Sequence, residues 1–147
     1  MNDYFINQTG FVSYLYSHKN NERYIISERL YSFVYLEQGK CEVQMGDKKI
    51  IANPKQMIFI PTETTCTLTF HNDTMQECKG KTLKIRFFAG VNEYDYLPQA
   101  FTPNEKMLTI FKKIPVDNET DFIEINCKFL ADVYTFLSMA IDQLIKN

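Results

Sequence analysis

The sequence predicts a mainly β domain closed by helices at its C-terminal end, and three observations carry that prediction. Up to about residue 100, short runs rich in Val, Ile, Tyr, Phe and Thr are separated by polar turns at roughly ten-residue intervals, the pattern of an all-β sandwich or barrel. Beyond that point the apolar period changes from two to about 3.6, the repeat of a helix. The chain has 147 residues, 45% of them apolar, with 12 Phe and 9 Tyr, which suits one compact domain with an aromatic core and excludes a disordered chain.

Taken in order, strands are expected at 11–17 (FVSYLYS), 23–27 (RYIIS), 31–36 (YSFVYL), 40–45 (KCEVQM), 48–51 (KKII), 57–60 (MIFI), 65–71 (TCTLTFH) and 82–88 (TLKIRFF). The breakers between them are NN, EQG, GD, NPKQ, PTE, HND and KG. In MGDKK, Gly46 can take the positive φ that a tight hairpin turn requires. Thr102, Pro103 and Glu105 then form a capping box with proline at the first helical position, opening a short helix to about Lys113 that Pro115 stops. Asn118 or Thr120 is expected to cap a longer helix.

In that second helix Leu130, Val133, Leu137, Ala140 and Leu144 recur at alternating spacings of three and four, a narrow seam that Phe129, Tyr134, Phe136 and Ile141 widen. Two uses fit such a stripe. Either one side is buried on the sheet while another meets a partner, or the whole stripe closes the core of a monomer.

Sixteen Lys plus Arg against eighteen Asp plus Glu leave a formal charge of -2, so no broad basic face attracts nucleic acid to this chain. The first twenty residues lack a basic start and an apolar block, and no run approaches the roughly 18 apolar residues of a membrane span, so a cytoplasmic protein is expected. Cys41, Cys66, Cys78 and Cys127 are scattered without a CxxC pair and read as packed thiols. His18 and His71, the two histidines, have no Cys, Asp or Glu partner at a recognisable spacing and read as solvated turn residues.

Within YSFVYLEQGKCEVQMGDKKIIANPKQMIFIPTETTCTLTF, a strand ends in Leu36-Glu37-Gln38-Gly39. A hairpin at Gly46, a Pro54-Lys55-Gln56 turn and MIFIP follow in that order, with a helix pair after them. This succession resembles the N-terminal cupin-like effector-binding and dimerisation domain of AraC-type transcription regulators, over about residues 10 to 145. The resemblance implies a jelly-roll β-barrel over residues 1–100 and a helical dimerisation segment over 101–147. The family's DNA-binding part is absent from this chain, so contact with DNA is expected only through that missing C-terminal domain.

Cupin enzymes hold a metal with two histidines and a glutamate from one motif and a histidine from another. Aligned on Gly39, those places fall on Ile25, Ser27, Ser32 and Cys66, a set that cannot ligate a metal well. No metal, no cofactor and no enzymatic activity are therefore expected. The family's turn glycine is replaced by Lys55, which has less freedom for positive φ.

Likeness to an arabinose-binding member places ligand contacts near Tyr24, Leu68, Leu83 and Ile85, with residues 7–9 as an arm over the site. Strand alternation puts Ser32, Val34 and Leu36 on one face and Tyr31, Phe33 and Tyr35 on the other, without saying which faces inward. Ser32 and Val34 join the candidate lining. Arg29, with Arg86, offers a fork for a carboxylate. Apart from the Tyr24 hydroxyl the matched positions are apolar, so an apolar or amphipathic effector is expected rather than a free sugar, whose hydroxyls would be stranded. The resemblance also implies a homodimer through Leu130, Val133, Leu137, Ala140, Ile141 and Leu144. A stand-alone cupin isomerase or dioxygenase, or a structural dimerisation module with a filled barrel, are the alternatives.

Overall fold

In the computed structural model of the protein, residues 11–27, 30–62, 64–85, 96–116 and 127–145 are described. They form β1 (Phe11–His18), β2 (Arg23–Ile26), β3 (Tyr31–Gln38), β4 (Lys40–Met45), β5 (Lys48–Ala52), β6 (Met57–Ile60), β7 (Cys66–His71), β8 (Cys78–Ile85), β9 (Gln99–Phe101), α1 (Glu105–Lys113) and α2 (Cys127–Gln143). Two antiparallel sheets result, one in the order β1-β8-β3-β6-β9 and one in the order β2-β7-β4-β5. They face each other as a cupin-like sandwich, and the two helices cover the outer face of the five-stranded sheet.

Residues 31 to 36 of β3 are all buried, because this strand has core on both faces. Tyr31, Phe33 and Tyr35 point outward to the helices, while Val34 and Leu36 point inward to the other sheet. The inner core is mostly small: Cys41, Val43, Ala52, Ile58, Ile60, Cys66, Leu68 and Cys78 join Val34 and Leu36. The outer core is broad and aromatic, with Phe33 packed on Phe59 and edge-on to Phe136, whose ring lies 5.1 Å from that of Phe111.

Seven of the eight expected strands appear within a residue or two of their predicted positions. The eighth differs, because β8 begins at Cys78 rather than at Thr82. Its early part, CKGK, looks like a turn in isolation but is central in the sheet, paired on one side from His18↔Cys78 to Leu15↔Lys81 and on the other with β3. Gly80 is required there. A Cβ would strike the Tyr35 carbonyl oxygen and the Tyr16 hydroxyl, which donates to that oxygen at 2.8 Å. The three-residue β9 gives no sequence signal of its own and exists through its ladder with β6.

Both predicted turns form. Gly46 has φ 59°, and Lys55 accepts φ 72° in the place where the family pattern has glycine. Its backbone N–H donates to Leu36 O at 2.6 Å, which ties the turn to the end of β3.

The start of α1 is a correction. Asn104, not Thr102, is the N-cap, and its Oδ1 accepts from the Met107 N–H at 2.8 Å. Thr102 instead accepts from the Gln56 side chain. This start brings Met107, Phe111 and Ile114 onto the sheet together. The expected caps of the second helix, Asn118 and Thr120, lie outside the described residues.

Two polar side chains fasten the helices. Lys81, 7% exposed on the outer face of β8, donates to Ile114 O at 2.6 Å and Phe111 O at 2.8 Å, covering the C-terminal carbonyls of α1. Burial pushes its pKa down to about 8. Gln99 in β9 donates to Ile145 O at 3.1 Å and accepts from Ile145 N at 3.0 Å, closing the end of α2.

Candidate ligand-binding cleft

The facing sheets part along one side, where β1 and β2 are edge strands, and leave a cleft of about 320 Å3. Side-chain alternation determines what enters it. From β1 come Tyr14, Tyr16 and His18, from β2 Tyr24 and Ile26, from β7 Leu68 and Phe70, from β3 Val34, and from β8 Thr82 and Lys84. One wall is a stack of rings, with His18 5.0 Å from Tyr16, 4.2 Å from Tyr24 and 4.6 Å from Phe70. Lys84, its ammonium 5.9 Å from the centre of the Tyr14 ring, is the one Lys or Arg among the described lining residues.

Of the positions singled out in the sequence, Tyr24, Val34 and Leu68 meet in this cleft. Ser32 is buried on the same inner face, opposite Lys84 in the ladder, and its Oγ has no hydrogen-bond partner among the described residues. Leu83 and Ile85 do not join them. They alternate with Thr82 and Lys84 along β8 and so face outward, within the helix-covered core. Arg29, Arg86 and the residue 7–9 arm lie outside the described residues.

The residues matched to cupin metal positions divide between buried Ser32 and Cys66 and exposed Ile25 and Ser27. Cys66 is in the inner core, its thiol pushed up to about 11 by burial. Ile25 is exposed, and Ser27 shares a hydrogen bond with Thr65. Among the described residues no three His, Cys, Asp or Glu side chains gather as a metal site.

The six positions expected to form a dimer seam are divided. Val133, Leu137 and Ala140 are buried against the chain's own five-stranded sheet, and Leu144 packs at the edge of that core. Leu130 and Ile141 remain half-buried on the flank of α2, where the exposed Ile145 follows them.

His18, Tyr14, Tyr16, Thr82 and Lys84 were not among the predicted ligand contacts. His18 is no solvated turn residue: it closes β1 inside the ring stack, and desolvation holds its pKa below the ordinary histidine value despite Glu22 at 3.9 Å. The alternation of Tyr14, Tyr16 and His18 along β1 was visible in the sequence. Only strand pairing puts it beside Tyr24.

No protein-family model matches the sequence, and no curated protein is a detectable relative. Solved structures do resemble the fold. ToxT from Vibrio cholerae superposes over 92% of this chain and 56% of its own, at TM-score 0.61 and 12% identity. A second ToxT structure, bound to (E)-4-(8-methylnaphthalen-1-yl)but-3-enoic acid, covers 90% of this chain and 56% of its own at TM-score 0.54 and 10% identity. The protein Ylba from E. coli covers 65% of this chain and 40% of its own at TM-score 0.50 and 18% identity. The chain thus spans a little over half the length of ToxT, an AraC-family regulator, and shares with it a cupin-like domain at the level of fold. No helix among the described residues is long and apolar enough to cross a membrane.

Proposed function

We propose that this chain is the effector-sensing domain of an AraC-type transcription regulator, with the cleft between β1 and β2 as its sensing site. The observation that carries the reading is the cleft lining: a ring stack of Tyr16, His18, Tyr24 and Phe70 beside aliphatic Val34 and Leu68, with Lys84 as its cationic group. Flat rings favour a planar apolar body, and an ammonium at the rim favours an anionic group. The effector is then a small aromatic or amphipathic carboxylate. The aryl carboxylic acid in the ToxT complex is of this chemical class and supports the reading by analogy of fold.

A ligand that binds the folded cleft stabilises it by mass action and favours whichever arrangement of sheet and helices makes the tighter cleft. DNA-binding domains attached beyond this chain would read that change. Pairing of two copies falls to the α2 flank that carries Leu130 and Ile141, because Val133, Leu137 and Ala140 are already buried.

Calorimetric titration with (E)-4-(8-methylnaphthalen-1-yl)but-3-enoic acid, and with an uncharged naphthalene of similar size, tests this. The acid is expected to bind, and Lys84→Gln to weaken it about tenfold, the worth of one charge-assisted hydrogen bond. Absence of stabilisation by any aryl carboxylate, or an affinity indifferent to Lys84, would sink the reading.

A further inference from the structure

A second concavity, of about 590 Å3, lies across the sheet from the cleft, where β1 and β8 emerge from beneath the C-terminal end of α1. Its floor and walls are apolar: Leu15, 66% exposed on an edge strand, faces Phe111, Ile114 and Val116. Its rim is basic, with Lys79, Lys81, Lys112 and Lys113 against the single carboxylate of Glu37.

These lysines are not equivalent. Lys81 has its N–H groups engaged by Phe111 O, Lys112 O and Ile114 O. Lys112 is 3.6 Å from Glu37. Lys79 and Lys113 have no ion-pair partner among the described residues and stand over the apolar floor. A helix C-terminus ordinarily repels an anion through its exposed carbonyls. Here the Lys81 ammonium lies on those carbonyls, so the local field is set by the two remaining lysines.

We propose that this crevice is a second ligand site, taking an amphipathic monoanion. Its apolar body lies on Leu15, Phe111 and Ile114, and its carboxylate, sulfate or sulfonate head is held by Lys79 and Lys113. The pairing of an apolar floor with an unneutralised basic rim is what such a molecule satisfies and what a neutral or cationic one leaves half unmet. The assignment is independent of the cleft, whose lining residues, apart from Tyr16 at the border of both, lie on the opposite face of the sheet.

The test is a titration of methyl-labelled protein with octyl sulfate below its micelle concentration, with octanol and octyltrimethylammonium as charge controls. Saturable shifts at Leu15 and Ile114 methyls are expected for octyl sulfate, with octanol weaker by about tenfold and the cation not saturating. The exposed pair Lys79→Gln and Lys113→Gln should weaken octyl sulfate about tenfold or more and leave binding of the aryl carboxylate in the cleft unchanged, while Tyr24→Ala should do the reverse. Shifts centred on Val34 and Leu68 instead, or an affinity unaltered by the double substitution, would overturn the site. Co-sedimentation with phosphatidylglycerol vesicles in the absence of saturable octyl sulfate binding would overturn it too, in favour of a lipid surface.

Discussion

The two faces of the five-stranded sheet are both apolar, yet they are built differently. The outer face is tiled by rings, Tyr31, Phe33, Tyr35 and Phe59 from the sheet and Phe111 and Phe136 from the helices. The space between the inner face and the four-stranded sheet is filled by aliphatic side chains and thiols, and among the described residues rings gather there at the open edge, Tyr14, Tyr16 and His18 from this sheet and Tyr24 and Phe70 from the other. Two facing sheets stand only about 10 Å apart, which favours small interdigitating side chains. A helix on a sheet leaves broader and more uneven space, which rings fill. Where the sheets diverge, rings stand without being fully covered, and a cavity follows. Ring packing is thus concentrated on the outer face, and the open cleft lies at the inner edge.

Phe136→Ala is the strongest way to break that contrast. It removes a buried ring that contacts both Phe33 and Phe111 and should cost about 3–5 kcal/mol in urea unfolding, with the cleft affinity of the remaining folded molecules unchanged. A loss below about 1 kcal/mol would mean that the outer face does not dominate stability.

Lys81→Met probes the one buried charge among the described residues of the outer face. It leaves the α1 carbonyls without their donor and should cost about 1–3 kcal/mol at neutral pH. The pH dependence has a definite sign. Lys81 releases its proton near pH 8 when folded and near 10.5 when unfolded, so between these values the unfolded chain binds more protons and the folded state gains stability as pH rises. That contribution, at most about 3 kcal/mol, is complete above the unfolded value and is lost as pH falls through the folded one. The gap between wild type and Lys81→Met should therefore widen from pH 8 to 10.5. A gap that narrows would show that the carbonyls hold the charged form more strongly than burial opposes it.

Asn104→Ala is the mildest change. Loss of its cap on Met107 should cost about 1 kcal/mol, while Thr102→Ala, outside the helix, should cost less. The reverse order in thermal melts would restore Thr102 as the cap.

By itself the sequence determined the β-rich class, the positions of seven strands, the Gly46 turn, the existence of α1 and the apolar stripe of α2. These are local matters, set by side-chain period, turn chemistry and caps, which act over a few residues. It also offered Tyr24 and Leu68 through resemblance, and Val34 through strand alternation, as candidate ligand contacts, and the three line one cleft. Only the tertiary structure decided which face of β3 and β8 looks inward, and so moved Leu83 and Ile85 under the helices while bringing Thr82 and Lys84 into the cleft. It decided too that Val133, Leu137 and Ala140 serve the chain's own core. The physical reason is the twofold period of a strand: both faces of this sheet are apolar, so hydrophobicity cannot tell them apart. The choice rests with the pairing partners, which lie up to some seventy residues away, as Phe11 and Ile85 do.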